Sequence, residues 1–482
     1  METSLVAAFR LAASRFGDST ALVAGDHRVT FRDLEQRVAA AAGHIATHAP
    51  GDVVGLLLPN SPAFAWTFLG ALWAGKSVAV LPTLAPPPLL KVMATEARLQ
   101  AVLTSAELAG HLADAGTATV DVGKFPARAG SVGEPRPRAL DGAVLLYTSG
   151  TTGRPKAVAL SDRNILSNIE GAVAAAGFDP ADVILAILPF FHSFGLTVTL
   201  LLPLSLGATV VLLERFVPRM VLQAIEQQRV TVVTAVPSQY RLMIKESRQT
   251  DASSLRLCLS GAERLPEQVA LEFETRFGQP LLQGYGSTET SPVIALNLPA
   301  ANRPGSVGRP LPNLRVTIRE DGRELPPGEI GEVWVEGPNV MLGYHNRLDA
   351  TAEKIVGGAL RTGDRGYVDA DGFLFLVGRA DELIKIAGEK IYPVEVEAAL
   401  ESVEGVEEAA VLTVPDEKHG LALCAFVHPR PGVQLTEAGV RAACRGCLEG
   451  IKVPRTILIV DPMPRTASGK VDKRALAAQL KT

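Results

Sequence analysis

The sequence is poor in cysteine, has no surplus of charge of either sign, and has no long hydrophobic run free of helix breakers. Its 4 cysteines, Cys258, Cys424, Cys444 and Cys447, are too few for a disulfide-bonded scaffold in 482 residues. Lys and Arg total 47 against 51 Asp and Glu, a formal charge of -4, so no global field favours nucleic acid or an anionic membrane as a partner. These features predict a soluble protein of a reducing cytoplasm.

Local patterns that could indicate a zinc site, a membrane span or a secretory signal are incomplete. Cys444 and Cys447 form a CxxC pair, but no second pair or His cluster completes a zinc site, and the flanking residues predict a helix with two small apolar side chains. The uncharged segment 195–213 contains a proline and a glycine, where a soluble helix would pass into a strand instead of spanning a membrane. Residues 1–17 lack the basic, apolar and small-residue order of a secretory signal.

Length and apolar pattern together predict an α/β protein with more than one domain. A chain of 482 residues exceeds the size at which one hydrophobic core keeps growing. From residue 52 onward, Val/Ile/Leu runs such as VVGLLLP and VTVVTAVP alternate with amphipathic segments such as FVPRMVLQAIEQQR. Near-continuous apolar strands separated by helices are typical of parallel sheets covered on both faces.

Changes in composition along the chain indicate boundaries. Residues 126–139 are rich in Pro, Gly and Arg, which predicts an exposed connection between two α/β halves. Short strands with turn residues follow Pro304, and Asp321-Gly322 is a hairpin signal, so a small β-subdomain is expected there. Near Gly378 the pattern changes to an α+β unit of about a hundred residues, a size typical of a small domain.

The segment YTSGTTGRPK at 147–156 combines glycines, hydroxyl side chains and a lysine after an apolar strand. Glycines let backbone N–H groups close on phosphate oxygens, hydroxyls add donors, and the lysine adds a mobile positive charge. A Walker loop has the pattern GxxxxGK[ST], whereas Arg154-Pro155 stands here between the second glycine and the lysine. Because Gly/Ser/Thr runs are also common in linkers, composition alone leaves a polyphosphate site open.

The string YTSGTTGRPKAV resembles the signature of the superfamily that contains acyl-CoA synthetases, nonribosomal adenylation domains and firefly-type luciferases. Further segments match in that family's order: PFFHSFG (189–195), SGAERL (260–265), GYGSTET (284–290), RTGD (361–364), GRADELIKIAGEKIYP (378–393) and PRTASGK (464–470). The resemblance covers nearly the whole chain and points to the acyl-/aryl-CoA synthetase branch. It implies a large N-terminal domain over 1–377, with two parallel-sheet α/β halves and a small β-subdomain, a hinge at 378–381, and a mobile α+β C-terminal domain over 382–482.

The resemblance also implies which residues bind ATP and AMP. They are Thr148, Ser149, Gly150, Thr151, Thr152, Gly153, Lys156, Gly261, Ala262, Glu263, Gly284, Tyr285, Gly286, Ser287, Thr288, Asp364, Arg379 and Lys470. In the family's pattern Tyr285 offers a stacking face to adenine, Asp364 accepts from the ribose hydroxyls, and Arg379 supports ribose and phosphate. Thr288 would bind the α-phosphate, and Glu289 would position Mg²⁺, a hard cation that prefers oxygen ligands.

Catalysis, the acyl pocket and the hinge are assigned by the same resemblance. The catalytic residues it implies are Lys470, His192, Thr288 and Glu289, with Lys470 bridging the carboxylate and the α-phosphate. The acyl pocket it implies comprises His192, Phe194, Val236, Ser260, Gly284 and Thr290. Asp381 would be the hinge residue, and Gly388 would line the tunnel for the thiol, where a small residue permits close approach.

Taken one at a time, these residues also fit purely structural roles. Tyr285 suits a packed core ring, Glu289 an acid at a helix start, and Asp364 a turn residue beside a glycine. His192 suits a satisfied histidine in an apolar stretch, and Lys470 a solvated lysine near the end of the chain. The ordered set of motifs favours the functional interpretation of each.

Together these residues predict an AMP-forming acid–thiol ligase that uses a small carboxylic acid, ATP, Mg²⁺ and CoA. Amino-acid-activating relatives place Asp immediately after the aromatic residue that guards the carboxylate, whereas this chain has Ser193, which favours a fatty or aryl acid. The alternatives are a fatty acyl-AMP ligase or acyl-carrier-protein synthetase that uses the phosphopantetheine of a carrier protein, an aryl-CoA ligase, a luciferase-like oxygenase and a non-catalytic nucleotide-binding module. Both a monomer and a homodimer remain open.

Overall fold

The computed structural model describes residues 4–129, 133–148, 155–386, 389–416, 420–448, 450–465 and 471–480. Its strands are β1 (Thr20–Ala24), β2 (His27–Thr30), β3 (Val53–Leu57), β4 (Ser77–Val80), β5 (Ala101–Thr104), β6 (Ala118–Asp121), β7 (Val144–Thr148), β8 (Lys156–Leu160), β9 (Val183–Ala186), β10 (Thr209–Leu212), β11 (Val232–Ala235), β12 (Leu257–Ser260), β13 (Leu281–Gly286), β14 (Val293–Leu296), β15 (Arg309–Pro310), β16 (Arg315–Glu320), β17 (Arg323–Glu324), β18 (Gly331–Glu336), β19 (Gly343–Tyr344), β20 (Ile355–Val356), β21 (Ala359–Val368), β22 (Leu374–Arg379), β23 (Ile384–Ile386), β24 (Glu389–Ile391), β25 (Val406–Asp416), β26 (Gly420–Pro429) and β27 (Thr456–Ile459). Its α-helices are α1 (Leu5–Arg15), α2 (Phe31–His48), α3 (Pro62–Trp73), α4 (Pro87–Glu96), α5 (Asp162–Ala176), α6 (Ser193–Leu196), α7 (Leu202–Leu206), α8 (Pro218–Gln227), α9 (Pro237–Lys245), α10 (Glu267–Phe277), α11 (Leu348–Lys354), α12 (Pro393–Glu401), α13 (Glu437–Cys444) and α14 (Lys473–Gln479).

Packing within the chain defines two units. The first comprises Met1–Val316 and Val335–Arg361, and the second comprises Thr317–Trp334 and Thr362–Thr482. The predicted domain boundary and hinge at 378–381 stay predictions.

Nine strands of the first unit form one sheet in the order β15-β14-β13-β12-β11-β9-β10-β1-β2. Strands β13, β12, β11, β9, β10 and β1 run parallel to one another, and β2, β14 and β15 join antiparallel at the edges. Both faces of the sheet are buried, since Val232 packs into one apolar cluster and its neighbour Val233 into another. Coverage on both faces explains why these strands read as continuous apolar runs.

A second sheet of the first unit has the order β19-β8-β7-β4-β3-β5-β6, and its central strands β7, β4, β3, β5 and β6 are parallel. The two parallel sheets confirm the predicted α/β halves. The predicted position of the connection between them was wrong, because 126–139 joins β6 to β7 inside this one sheet. The Arg136 N–H donates to the carbonyl of Trp73 (2.9 Å), and the Trp73 indole donates to that of Gly133 (3.2 Å), so the connection packs back onto α3. Its composition reflects exposure and turns, not a boundary.

Side-chain caps explain where several helices of the first unit begin. Ser4, Thr30, Ser61 and Ser161 precede α1, α2, α3 and α5, and each side-chain oxygen accepts from a backbone N–H three residues later. Each cap satisfies one N–H that the helix itself leaves without a partner.

The uncharged segment 195–213 folds as a broken helix followed by a strand, as its proline and glycine predict. Helix α6 continues through a π-helical turn at Thr197–Leu201 into α7, which ends at Gly207 with φ of 93°, and β10 follows. In the described part of the chain, no helix combines the length and apolar character needed to cross a membrane.

The second unit contains the predicted hairpin of the β-subdomain. Strands β16 and β17 pair antiparallel around Asp321 and Gly322, whose φ angles are 49° and 78°. Two consecutive left-handed residues are what a tight hairpin turn requires, and Asp-Gly adopts them at low cost. Further along, β21 and β22 form a second antiparallel pair.

The rest of the second unit is the predicted α+β fold. Strands β25 and β26 pair antiparallel, β27 adds parallel to β26, and residues of α12 and α13 pack into the same core. Cys444 lies in this core at the end of α13, where burial raises the pKa of its thiol to about 11. Cys447 is exposed. The prediction of two small apolar side chains one helical turn apart is therefore wrong for Cys447, which lies beyond the end of α13 and is not packed into the core.

A polar network around the buried Asp182 connects the amino ends of three parallel strands in the first unit. Asp182 precedes β9, Thr231 precedes β11, and Arg256 precedes β12. The Asp182 carboxylate accepts from the Thr231 hydroxyl (2.7 Å), from Arg256 Nε (2.7 Å) and from the backbone N–H of Asp179 (3.0 Å). Burial alone would raise the pKa of Asp182, but these hydrogen bonds outweigh it and lower the pKa below its usual value.

Replacing Asp182 with Asn should destabilise the first unit by about 2–3 kcal/mol, less than for a fully buried pair because Arg256 is partly exposed. Because the folded pKa of Asp182 is depressed, its contribution is present above the unfolded pKa and is lost as pH falls through the folded pKa. Urea unfolding midpoints of Asp182→Asn and wild type should therefore differ most at neutral pH and converge below about pH 4. Asp251→Asn, at an exposed pair with Arg229, is the control. A midpoint difference independent of pH would contradict this account.

Candidate active site

The site in the first unit begins where the parallel strands β11 and β12 end, beside the middle of β13. Ala235 of β11, Ser260 of β12 and Gln283 of β13 lie level in register. Strands β11 and β12 end at these residues, so Val236 and Gly261 leave the sheet side by side, whereas Gly284 lies in the part of β13 that pairs with β14. Loops at the carboxyl ends of parallel strands are where α/β proteins bind ligands. The strand register thus brings predicted acyl-pocket and adenine residues to one edge.

The turn after β12 is tight and lies against an aromatic ring. A Cβ atom on Gly261 would lie 3.0 Å from Cε1 of Phe194, so the ring occupies the space that a larger residue would need. Ala262 follows with φ of 69°, a left-handed conformation that costs a non-glycine residue about 1–2 kcal/mol. Such strain is concentrated at functional sites. The predicted acyl residue Phe194 and the predicted adenine segment are therefore in contact.

A hydroxyl pair connects the two central motifs. The Ser193 Oγ atom lies 3.3 Å from the Oγ1 atom of Thr288, and either hydroxyl can donate. Ser193 is buried at the start of α6, directly after His192. Thr288 follows β13 and begins a short 3₁₀ turn with Glu289 and Thr290. The segment expected to bind the acid and the segment expected to bind the α-phosphate therefore meet.

The loop that carries Thr288 and Glu289 is closed by hydrogen bonds of its own. The Ser287 N–H donates to the carbonyl of Pro292 (3.0 Å), and the Thr290 hydroxyl lies within hydrogen-bonding distance of the same carbonyl (2.7 Å). Thr290 is fully buried, and its hydroxyl also lies 3.0 Å from the carbonyl of Ser287. These contacts assign Thr290 to loop closure, and its place in the acyl pocket stays a prediction.

Glu289, Tyr344 and Lys156 form a cluster beside this loop. The Tyr344 hydroxyl donates to Oε1 of Glu289 (2.9 Å), and the Lys156 ammonium lies 5.0 Å from the centre of the Tyr344 ring. An ammonium at that distance over an aromatic face is attracted by the ring. The tyrosine is fixed by pairing of β19 with β8, where it lies opposite Val158. The predicted phosphate-binding lysine and the predicted Mg²⁺ residue thus share one aromatic neighbour.

The predicted phosphate loop connects two strands of the seven-stranded sheet. Strand β7 ends at Thr148, which lies opposite Lys156 at the start of β8. Tyr147 is largely buried, its hydroxyl donates to the carbonyl of Met93 (2.8 Å), and burial raises its pKa. Ser149, Gly150, Thr151, Thr152 and Gly153 lie outside the described residues, so their assignment to phosphate stays a prediction.

Other predicted residues of this unit lie on the same elements. His192 is the residue before α6, and its ring packs at 4.6 Å against Phe191. Tyr285 is half-buried and pairs with Ala295 across β13 and β14. A Cβ atom on Gly286 would lie 2.2 Å from the carbonyl oxygen of Pro292, so only glycine fits there.

In the second unit, two predicted nucleotide residues and the predicted hinge residue form one ion-pair chain. Asp364 and Arg379 lie opposite each other on β21 and β22, and Nη1 of Arg379 donates to Asp364 (3.2 Å). Nε of the same arginine donates to Asp381 (3.0 Å). Burial alone would lower the pKa of Arg379, but the two carboxylates outweigh it and raise the pKa. Asp364 lies within a strand, not in the turn that its neighbouring glycine suggested.

Gly388 and Lys470 lie outside the described residues, and their roles in the thiol tunnel and in catalysis stay predictions.

Sequence reasoning also missed residues that the fold brings to the site. Tyr344 is one, because its short strand carries no motif that would place it beside Glu289. Asn168 and Asn339 are two more: both are buried, and both bond to the loop around Thr290.

Comparison with known proteins identifies the family. The profile of the AMP-binding enzyme family matches residues 9–345, and that of the AMP-binding enzyme C-terminal domain matches residues 395–470. The chain belongs to the AMP-binding enzyme family. The predicted membership of the adenylate-forming superfamily is confirmed.

The relatives are acid–CoA ligases. The chain is 34% identical to oxalate–CoA ligase of Arabidopsis thaliana, over 96% of each protein. It is 32% identical to a long-chain-fatty-acid–CoA ligase of Bacillus subtilis, over 96% of the chain and 92% of the relative. Among solved structures, ATP-bound MatB from Rhodopseudomonas palustris superposes with a TM-score of 0.90 at 28% identity, covering 99% of both chains. The chain is accordingly an acid–thiol ligase of this family.

Tyr344→Phe tests the cluster around Glu289. The variant keeps the ring under Lys156 and removes only the hydroxyl, so the rate of ATP–pyrophosphate exchange should fall about tenfold through loss of a hydrogen bond to a charged group. Tyr367→Phe is a matched control, since Tyr367 stacks on Phe375 at 4.8 Å in the second unit. Equal exchange rates in the two variants would show that the Tyr344 hydroxyl does not act on the reaction.

Proposed function

We propose that this ligase activates an apolar monocarboxylic acid, a fatty acid in the first instance, to its acyl-AMP and then transfers the acyl group to the thiol of CoA. The observation that carries the proposal is the 3.3 Å approach of the Ser193 and Thr288 hydroxyls. It joins the segment expected to hold the carboxylate to the segment expected to hold the α-phosphate. Those are the two groups that the first chemical step must bring together.

The surroundings of Ser193 support an acid without a second charged group. Ser193 is 6% exposed and places a neutral hydroxyl where amino-acid-activating relatives carry a carboxylate. Phe194 and Val236 are half-buried and apolar, at the edge formed by the ends of the parallel strands. A largely apolar wall with few polar groups suits a fatty or aryl chain. The relatives are named for acids as different as oxalate and long-chain fatty acids, so the acid is decided by side chains, not by the fold.

The nucleotide side of the proposal is supported by chemistry that matches a triphosphate. Lys156 supplies a positive charge at the start of β8, and Thr288 supplies a hydroxyl in the loop after β13. Glu289 is half-buried, and its carboxylate accepts from Tyr344 through Oε1. Carboxylate and hydroxyl oxygens fit Mg²⁺, which prefers hard ligands. We assign Glu289 to Mg²⁺, which supplies charge neutralisation on the phosphates when bound.

Two steps follow from this arrangement. A carboxylate resists thiol attack because its oxygen is a poor leaving group, so the carboxylate oxygen first displaces pyrophosphate from the α-phosphorus of ATP. AMP then leaves when the thiol attacks the acyl carbon. What the protein provides in the first step is positioning and charge stabilisation, through Thr288, His192 and Lys470.

In the second unit, Asp364 and Arg379 are assigned to ribose and phosphate, and Asp381 to the hinge between the two steps. The carboxylate of Asp364 is an acceptor of the kind that ribose hydroxyls need, and the planar arginine matches phosphate oxygens. Gly388 is assigned to the thiol tunnel by its family position alone. A cytoplasmic location suits the free thiols of Cys258, Cys424, Cys444 and Cys447.

A substrate panel tests the function. Purified protein is incubated with ATP and Mg²⁺ and with aliphatic monocarboxylic acids of increasing length, aryl acids, dicarboxylic acids or amino acids, and pyrophosphate release is measured. Aliphatic acids should give the highest rates, and CoA should raise AMP release. A preference for aryl acids would replace the fatty acid in the proposal. AMP release that depends on a phosphopantetheinyl carrier protein would replace CoA, and no pyrophosphate release with any acid would refute activation itself.

Lys470→Ala should abolish ATP–pyrophosphate exchange, because the assigned lysine bridges the carboxylate and the α-phosphate only in the first step. Thioester formation from supplied acyl-AMP and CoA should stay within about threefold of wild type, since that step does not need this charge. Lys473→Ala serves as the control for loss of positive charge. Lys473 lies three residues later and pairs with Glu397 in the wild-type protein. Exchange that survives in Lys470→Ala would refute the assignment.

Ser193→Asp tests the class of acid. A carboxylate at this buried position would repel the substrate carboxylate, and exchange with a fatty acid should fall at least about a hundredfold, as for an unpaired buried charge. Ser193→Ala removes the hydroxyl without adding charge and should cost about tenfold at most. Similar rates in the two variants would show that the acid does not approach Ser193.

A further inference from the structure

We propose that Asn168 and Asn339 are positioning residues for adenylation: together they clamp the loop that carries Thr288 and Glu289 in its reactive shape. The two side chains come from separate parts of the first unit and converge on the same backbone carbonyls. The pair is called the amide clamp below. The inference rests on the proposed function, since it assigns the loop a task in acyl-AMP formation.

Asn168 lies on α5 and is 1% exposed. Its Nδ2 donates to the carbonyl oxygens of Thr290 (3.1 Å) and Val293 (2.7 Å), and its Oδ1 accepts from the Val293 N–H (3.2 Å). A carboxamide has the donor and acceptor of a peptide group, so Asn168 pairs with Val293 as a neighbouring strand would. The helix thereby holds the point at which the loop ends and β14 begins.

Asn339 approaches the loop from another direction and is fully buried. Its Nδ2 donates to the same two carbonyl oxygens, of Thr290 (2.8 Å) and Val293 (3.2 Å). The backbone carbonyl of Asn339 accepts from the Ser291 hydroxyl (2.8 Å). The backbone carbonyls of Thr290 and Val293 thus each receive two amide donors.

Burying the side chain of Asn339 costs folding free energy. Its Oδ1 is buried and has no hydrogen-bond partner in the described part of the chain. A buried acceptor without a partner loses free energy relative to water, so an apolar side chain of similar size would suit this position better if only packing mattered. The Nδ2 bonds to the loop are what the amide adds. This distribution of bonds fits a residue that fixes geometry more than one that adds stability.

The clamp is itself held by a third asparagine one turn earlier on α5. Asn164 Nδ2 donates to the carbonyls of Pro338 (2.8 Å) and Val340 (2.7 Å), on either side of Asn339. Asn164 and Asn168 are four residues apart and so lie on one face of the helix. One helix face therefore fixes both the loop and the segment that carries the second half of the clamp.

The side chains assigned to the α-phosphate and to Mg²⁺ lie within this clamped loop. Thr288 and Glu289 directly precede Thr290, whose carbonyl both amides bind. The carbonyl of Glu289 accepts from the Met341 N–H (2.8 Å), two residues after Asn339. Displacement of this loop by a fraction of an ångström would move the Thr288 hydroxyl and the Glu289 carboxylate relative to the phosphates. Misplacement on that scale reduces the rates of positioned reactions strongly.

The test compares Asn168→Ala, Asn339→Ala and the double variant with Asn313→Ala. Asn313 is the matched control because its Nδ2 also bonds to α5, at the carbonyl of Ser167 (2.6 Å), and makes no described contact with the loop. For each protein, ATP–pyrophosphate exchange is measured with the best acid of the panel as a function of ATP and Mg²⁺. Thermal unfolding is measured in parallel to report stability alone.

Each single clamp variant should lower kcat for exchange about tenfold and raise the Mg²⁺ concentration for half-maximal rate, with little change in the KM of the acid. The double variant should fall about a thousandfold, more than the product of the single effects, because either amide alone still holds both carbonyls. Asn313→Ala should lose thermal stability but keep the wild-type kcat and Mg²⁺ requirement.

Clamp variants with lowered melting temperatures but wild-type kcat and Mg²⁺ requirement would overturn the proposal. If Asn339→Ala does not fold, Asn168→Ala and Asn168→Asp decide the question. The aspartate keeps the acceptor for the Val293 N–H and removes both donors. Wild-type kinetics in these two variants would also overturn the proposal. Absence of exchange in the wild-type protein would instead refute the proposed function.

Discussion

The register of three parallel strands is the constraint on which the first unit's site depends. Because Ala235, Ser260 and Gln283 lie level, the chain leaves β11 and β12 at one height, beside the point at which β13 begins to pair with β14. Segments from elsewhere then need only reach that edge, as Phe194 does against the turn after β12. A slip of one residue in β12 would exchange the two faces of the strand and bury the wrong side chains. The packing of the sheet therefore also sets the geometry of the chemistry.

The nine-stranded sheet separates stability from reactivity at its two ends. At the amino ends, Asp182 gathers Thr231 and Arg256 into a fully bonded polar network. At the carboxyl ends, Ala262 adopts a strained left-handed conformation, and the hydroxyls of Ser193 and Thr288 lie 3.3 Å apart. Strain of this kind persists only where the surrounding structure determines the backbone. The network at the far end of the same strands contributes that rigidity.

Much of the fold followed from the sequence because its signals are local. Continuous apolar runs predicted parallel strands, and Asp321-Gly322 predicted a hairpin, since each depends on neighbouring residues. Contacts between distant residues were beyond such reasoning. Asn168 meets Thr290 across 122 positions, and its sequence context is that of any polar residue on a helix. The prediction that the proline-rich stretch 126–139 separates the two α/β halves was wrong because composition reports only exposure. The place of this stretch between β6 and β7 depends on strand pairing between distant residues.

The way the loop is held explains how one fold can serve many acids. The bonds that shape the segment around Thr288 and Glu289 go largely to backbone groups, such as the carbonyls of Thr290 and Val293, which are the same for any sequence. Residues predicted to face the acid, such as Phe194 and Val236, would act through their side chains. A change of side chain there alters the pocket and leaves the clamped backbone in place. Specificity and activation can therefore vary independently, which agrees with relatives named for oxalate and for long-chain fatty acids that align along almost the whole chain.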